Sequence, residues 1–234
     1  MRLMSYNLLR LTLDRAAAAE VVRGVDPDVL AVQEPPRGPW GRARLRRFAR
    51  DSGLRVVLAG RGARTTALLA APRVLPAREV EVLRLPWRGS RVVRRWWGRR
   101  GVVLARLAGV DVVVVHLALD ATERLRHARR VLARLAQRAG PTVLLGDLNE
   151  PPSGPVVELL GEVLRDAAPD GAPTFPARGP VHRIDYALVS EGVVVRRLEV
   201  LDGPLVRRSS DHLPVVVEVE ARAPERPLSR GVTR

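Results

Sequence analysis

Val143-Leu144-Leu145-Gly146 runs straight into Asp147-Leu148-Asn149-Glu150-Pro151, and this stretch constrains the chain more than any other. A short apolar run bounded by turn formers reads as a strand buried on both faces. Side chains two apart on extended backbone project to the same side, so Asp147 and Asn149 would present a carboxylate and a carboxamide to one point. Polar groups at the end of a buried strand are costly unless they are paired or serve a ligand. Gly, Asp, Asn and Pro are also the commonest turn residues, so a plain turn is the competing reading of this stretch alone.

The same arrangement recurs along the chain. Arg2–Tyr6 reads as a strand ended by Asn7, Asp28–Val32 as a strand closed by Gln33-Glu34-Pro35, and Val110–Val115 as a strand ended by His116. Asp185 opens the apolar run Tyr186–Val189, and Ser209-Ser210-Asp211-His212 precedes a last strand at Leu213–Val219. Further strands are predicted at Leu54–Ala59, Val102–Leu107 and Val193–Leu201, with Ala108-Gly109 as a tight hairpin connection. Thr65–Ala71 and Val74–Leu85 suggest consecutive antiparallel strands joined at Pro72.

Helical periodicity or composition marks Asp14–Gly24, Arg42–Ser52, Ala121–Ala139 and Ser153–Leu164, the third with Leu125, Ala128, Leu132 and Leu135 on one face. Asp166–Pro180 is a Pro- and Gly-rich loop. About ten short strands with a few helices and no linker predict one domain over residues 1–220, followed by a flexible tail at 221–234.

The chain has no cysteine, which excludes disulfides and thiolate ligands and leaves oxygen and imidazole donors. Oxygen donors with at least one carboxylate suit a hard cation such as Mg²⁺, with Mn²⁺ the alternative. The net charge is +15, and every basic residue is Arg. A basic surface favours polyanions, although an Arg-only, Ala- and Val-rich composition is also what GC-rich codons produce. No run approaches the roughly 20 apolar residues of a membrane span, and no charged-then-apolar leader opens the chain, so a cytoplasmic protein is expected.

Six pieces, in order, carry a family resemblance: Met4-Ser5-Tyr6-Asn7, Val32-Gln33-Glu34, Val115-His116-Leu117, Gly146-Asp147-Leu148-Asn149, Arg183-Ile184-Asp185-Tyr186 and Ser210-Asp211-His212. Together they resemble the endonuclease/exonuclease/phosphatase superfamily, which includes deoxyribonuclease I and the exonuclease III type of abasic-site endonucleases. The resemblance implies an α/β (α+β) fold, a four-layered αββα sandwich with two mostly antiparallel sheets face to face and helices outside. It also implies metal-dependent hydrolysis of a phosphoester by an activated water.

Carried over by position, the resemblance implies Glu34 as main metal ligand, with Asn7 beside it and Asp211 completing the site. Asp147 would activate water or assist the leaving oxygen, Asn149 would position phosphate or water, and His116 would hydrogen-bond a phosphate oxygen. His212, held by Asp185, would act as acid/base or stabilise phosphoryl charge, as a carboxylate beside an imidazole allows. A salt bridge to Arg183 is the competing reading of Asp185. Arg124 is either a phosphate ligand or part of a solvated helix face.

The substrate is less constrained. Trp87, Trp96 and Trp97 stand among six arginines between Pro86 and Arg100, and Arg with Trp is how phosphates and bases of nucleic acid are held. Arg95, Trp96 and Trp97 are therefore expected at a nucleic-acid rim of a monomeric nuclease. Where many relatives have Gly-Asn before an Ala-Leu-Leu strand, this chain has Thr65-Thr66, which favours a phosphatase or phosphodiesterase acting on a lipid headgroup, inositol phosphate or other small phosphoester. The same loop would then contact a membrane surface peripherally.

Overall fold

The computed structural model describes residues 1–60, 62–87 and 99–222. Apolar runs bounded by turn formers become strands: β1 (Arg2–Asn7), β2 (Val29–Gln33), β3 (Arg55–Ala59), β4 (Thr66–Ala70), β5 (Arg78–Arg84), β6 (Gly101–Leu107), β7 (Val110–His116), β8 (Thr142–Asp147), β9 (Arg165–Asp166), β10 (Asp185–Val189), β11 (Val193–Val200) and β12 (Val215–Ala221). Helices are α1 (Arg15–Val25), α2 (Gly41–Asp51), α3 (Ala121–Leu135), α4 (Pro155–Gly161) and the unforeseen short α5 (Pro204–Ser209). Asp14 and Asp120 cap α1 and α3, accepting from Ala17 N and Glu123 N at 2.9 Å each.

The strands form two six-stranded sheets, ordered β11-β12-β1-β2-β4-β3 and β5-β6-β7-β8-β10-β9. Each has a single parallel pair, β1 with β2 and β7 with β8, among antiparallel neighbours. Parallel neighbours need a crossover, supplied by α1 and α3 respectively. The two sheets are thus built alike, each around a βαβ unit.

Period-two alternation then assigns the layers. Leu3, Ala31, Leu68, Val112, Val114, Leu145, Ala187 and Val217 fill the interface between the sheets. Met4, Tyr6, Leu30 and Val32 point outward onto Phe48 of α2 and Val22 of α1, while Val113, Val115 and Leu144 point outward onto Val131 of α3 and Leu160 of α4. Three apolar layers between four layers of structure make an αββα sandwich.

One expectation fails. Thr65–Ala71 and Val74–Leu85 do not form a hairpin: β4 lies between β2 and β3 in the first sheet, and β5 is the edge of the second, against β6. A 3₁₀ turn at Pro72–Val74 carries the chain across. Both sides of β4 are occupied by β2 and β3, so no ladder remains for β5 to join. The long helix also stops at Leu135 rather than Ala139. The backbone pairing at the C-terminal end runs past residue 220, to Arg222 N on Gly192 O at 2.9 Å; the rest of the expected tail, and Arg95, Trp96 and Trp97, lie outside the described residues. Among those described, no helix is long and apolar enough to cross a membrane.

Gly146 is the backbone's tightest requirement. Its φ is +149°, and a Cβ there would sit 2.0 Å from the carbonyl oxygen of Val115 on β7. Gly146→Ala is expected to cost at least about 3 kcal/mol in urea unfolding, combining backbone strain with displacement of a central strand.

Candidate active site

The carboxyl ends of the two parallel pairs open on the same side. At the end of the first pair, Asn7 stands in register with Gln33, one residue before Glu34. At the end of the second, His116 is in register with Asp147, and Asp147 with Asp185 on the next strand. Registered residues on neighbouring strands share a face, so sheet pairing alone lines up His116, Asp147 and Asp185.

The chain leaves both parallel pairs in the left-handed region, at Glu34 (φ +49°) after β2 and Asn149 (φ +51°) after β8. Leu9, Arg10 and Leu11 after β1 are also left-handed. Conformations of this kind cost about 1–3 kcal/mol each and persist where surrounding structure enforces them. Here Leu8 N and Arg10 N bond to Gln33 O and Glu34 O at 2.9 and 2.8 Å, and Asn149 N bonds to Asp147 Oδ1 at 2.9 Å.

The side chains close into one network. Asn7 Nδ2 lies 3.3 Å from Asp147 Oδ2 and 3.5 Å from His212 Nε2. His116 Nε2 is 3.5 Å from Asp147 Oδ2, and His212 Nδ1 is 2.9 Å from Asp185 Oδ2. Asn149 Nδ2 donates to Leu117 O at 3.1 Å. Arg183, the rival partner for Asp185, pairs instead with Asp166 at 2.6 Å and lies over the Tyr186 ring.

Charge states follow from burial. Desolvation, then repulsion from Asp185, pushes the Asp147 carboxyl up to about 7. Burial pulls His212 down, but the charge and hydrogen bond of Asp185 more than reverse it, to about 9. His116 is held well below its usual value, first by burial and then by the positive charges of Arg100 and His212. At neutral pH the site therefore pairs a cationic His212 with a neutral His116.

Sequence reasoning missed three contributors. Thr174, fully buried, donates its hydroxyl to Asp185 Oδ2 at 2.7 Å, and Leu213 N returns to Thr174 O at 2.8 Å. Phe175 packs its ring 4.7 Å from that of His212. Both sit in a loop whose only signals were Pro and Gly. Arg100, at the end of the basic stretch, is buried; desolvation lowers it to about 10 while Asp147 and Glu34 oppose that, so it stays charged.

Arg124 is engaged elsewhere. Its guanidinium bonds to the buried Glu150 and to Leu119 O, the latter at 2.7 Å, latching α3 to the turn that follows Asp147. Thr65 and Thr66 are buried: Thr65 O accepts Glu34 N at 2.9 Å, and the Thr66 hydroxyl joins Gly101 O on β6 at 2.9 Å. At this position the pair ties the two sheets together.

One cluster of carboxylates and imidazole among the described residues, and separately the Glu34 carboxylate, offer ligand atoms to a cation. Asp147, Asp185 and His212 offer ligand atoms within 4.8 Å of one another, but the Asp185 bond occupies His212 Nδ1, and an imidazolium repels a cation. Glu34 suits a hard ion better. Its carboxylate is 21% exposed and meets Arg10 Nε at 3.4 Å, which leaves acceptor capacity free at the mouth beside Asn7.

The sequence profile of the Endonuclease/Exonuclease/phosphatase family matches residues 4–212. Among solved structures, the fold is similar to an endonuclease/exonuclease/phosphatase from Bacteroides vulgatus (16% identity, TM-score 0.76, 94% of this chain and 98% of that one). It is also similar to a mannosyl-6-phosphatase from Bacteroides thetaiotaomicron VPI-5482 (18%, 0.72, 94% and 99%) and an AP endonuclease from Archaeoglobus fulgidus (18%, 0.72, 94% and 100%). At such identities these structures attest the fold. No curated protein sequence matches the chain.

Proposed function

This chain belongs to the endonuclease/exonuclease/phosphatase family, and from that premise we propose that it is a Mg²⁺-dependent phosphodiesterase acting on nucleic acid as a monomer. The observation that carries the reading is the network in which Asp147 meets Asn7 and His116 while Asp185 holds His212 by Nδ1. Acyl transfer would need a nucleophilic side chain beside its base. Two carboxylates, two imidazoles and two carboxamides suit in-line attack of water on a phosphorus atom instead.

Asp147 serves as the base that takes the proton of the attacking water. His212, fixed by Asp185, presents Nε2 as a cationic donor to the phosphoryl or leaving oxygen. His116 and Asn149 contact phosphate oxygens. Glu34, Asn7 and Asp211 would hold Mg²⁺, with Mn²⁺ as substitute; when bound, the ion supplies Lewis-acid charge neutralisation at the phosphate. Arg100 adds a fixed buried positive charge. Arg124 positions the turn carrying Asn149 through Glu150, and its expected role on phosphate has no support in this arrangement.

Nucleic acid is favoured by the net charge of +15 and by the likeness to an AP endonuclease over 100% of that chain. The mannosyl-6-phosphatase likeness supports a second reading, a small-phosphoester phosphatase. A panel in Mg²⁺ and Mn²⁺ separates them: plasmid, abasic duplex, single strand, bis-p-nitrophenyl phosphate, sugar phosphates and inositol phosphates. Cleavage of at least one nucleic acid, abolished by EDTA, is the expected result. Turnover confined to phosphomonoesters would replace the first reading with the second.

A further inference from the structure

An arginine-lined pocket opens beside the segment that follows Glu34. Immediately after Glu34, residues Pro35–Trp40 lead into α2, and between them, Ala59 and Gly60 at the end of β3, and Arg64 is a pocket of about 360 Å³. Arg37, Arg42, Arg64 and Arg99 line it, over a floor that includes Leu45 and Ala59. All four are exposed to solvent, where water and salt screen their mutual repulsion, and an anion seated among them would relieve what remains. Among the described residues, none of the four has a carboxylate within 4.0 Å, whereas neighbouring Arg10 pairs with Glu34 and Arg15 with Asp51.

The pocket is shaped around these groups. Gly60 has φ +81°, which favours glycine, and the Arg42 guanidinium lies alongside it, 3.4 Å from where a Cβ would stand. Arg37 is held below its usual value by burial first, then by the charges of Arg10 and Arg64, with Glu34 opposing. Arg37 therefore feels both the metal-side carboxylate and the pocket. Trp40, between the lining residues Gly38 and Gly41, is 76% exposed. A large aromatic in water beside an arginine-lined cavity matches how single-stranded nucleic acid is gripped, with arginine on phosphate and an aromatic on a base.

We propose that this pocket is a second phosphate subsite, which seats a phosphate adjoining the scissile one on a nucleic-acid strand while Trp40 stacks on a neighbouring base. The inference rests on the phosphodiesterase reading above and deepens it, because it makes the substrate a strand with consecutive phosphates and not an isolated phosphoester. It also places the strand beside α2.

The test is binding of a short, fluorescently labelled single-stranded oligodeoxynucleotide, read by anisotropy in EDTA so that catalysis plays no part. The Arg37→Ser/Arg64→Ser protein is expected to raise Kd about 10-fold or more and to flatten the dependence of log K on log salt by about 0.7, the increment for one single-strand phosphate no longer neutralised. Trp40→Ala is expected to raise Kd about 5-fold or more. The Arg196→Ser/Arg197→Ser protein, which removes the same charge from exposed β11 positions, should stay within about 2-fold of wild type.

The Arg37→Ser/Arg64→Ser protein should match wild type in circular dichroism and in its urea unfolding midpoint, which shows that it folds. Equal weakening by the β11 control, or no change in either pocket variant, would overturn the subsite. So would pocket variants that lose binding to anionic phospholipid vesicles while oligonucleotide affinity is unmoved. A wild-type protein that binds the strand through these arginines yet hydrolyses no phosphoester would retain the subsite and sink the catalytic reading instead.

Discussion

Asp147→Ala is expected to lower turnover of whichever phosphoester the panel identifies by about 10³-fold or more, with little change in KM. General-base catalysis contributes on the order of 10²–10⁴-fold, and this carboxylate also orders Asn7, Asn149 and His116 around it. Asp147→Asn separates chemistry from structure. The amide keeps the volume and can accept from Asn149 N, but it cannot take a proton. Because burial and Asp185 push the acid up to about 7, ionising it costs the fold stability. Above its usual value near 4 the folded state holds the proton more tightly than the unfolded chain, so that cost grows as pH rises from about 4 to 7 and levels off above 7. The Asp147→Asn protein should therefore unfold in EDTA at pH 8 at the same or higher urea concentration than wild type. An Asn variant that loses activity and stability together would assign Asp147 a packing role.

The second large effect is at His212. Substitution by glutamine is expected to cost about 10²–10⁴-fold in turnover. Asp185→Asn should approach the same loss, because it removes the charge that keeps His212 cationic and lets an amide nitrogen turn toward Nδ1, so the tautomer is no longer fixed. The pH profile carries the distinguishing signature. With Asp147 acting as a base near 7 and His212 as a cation up to about 9, activity should rise through pH 7, hold, and fall past pH 9. In Asp185→Asn the upper limb should move down toward the ordinary imidazole range.

Stability should follow the same group. A histidine raised from 6.5 to about 9 in the folded state contributes stability that is complete below 6.5 and is lost as pH rises through 9. Its size is about 3 kcal/mol for this buried group. Urea unfolding of the metal-free protein at pH 6 and pH 9 should show that difference in wild type and lose most of it in His212→Gln. An upper limb unchanged in Asp185→Asn would remove His212 from the acid role.

Thr174 shows how far such a site can be read from a chain. Asn7, Glu34, His116, Asp147 and Asn149 were legible because each interrupts or ends an apolar run, and burying a polar side chain there without a purpose is expensive. Thr174 sits among Pro, Gly and Asp in a stretch without periodicity, so nothing local sets it apart from other loop hydroxyls. Its importance comes from the distance to Asp185, 11 residues on, which exists only after the loop folds back onto residues 211–213. Arg100 was hidden differently, as one arginine among six in a basic stretch, and only burial distinguishes it. Arg124 could be either a phosphate ligand or a surface residue by position; the structure supplied a third answer, Glu150.

What the sequence determined by itself was the alternation of strands and helices, the polar residue at each strand end, and thereby the layers, since period-two and period-3.6 patterns decide which face each element buries. Sheet membership was beyond it. β4 and β5 carry compatible apolar patterns and a turn between them, yet they lie in different sheets because the neighbours of β4 come from residues far away in sequence. The same holds for the site's centre. Val143–Asn149 shows that a carboxylate and a carboxamide emerge from a buried strand; only the facing of two βαβ units brings Asn7 and His212 against Asp147. Hydrophobic pattern is a local property of a chain, while the meeting of charges from four strand ends is set by ladder register and sheet packing, which are long-range.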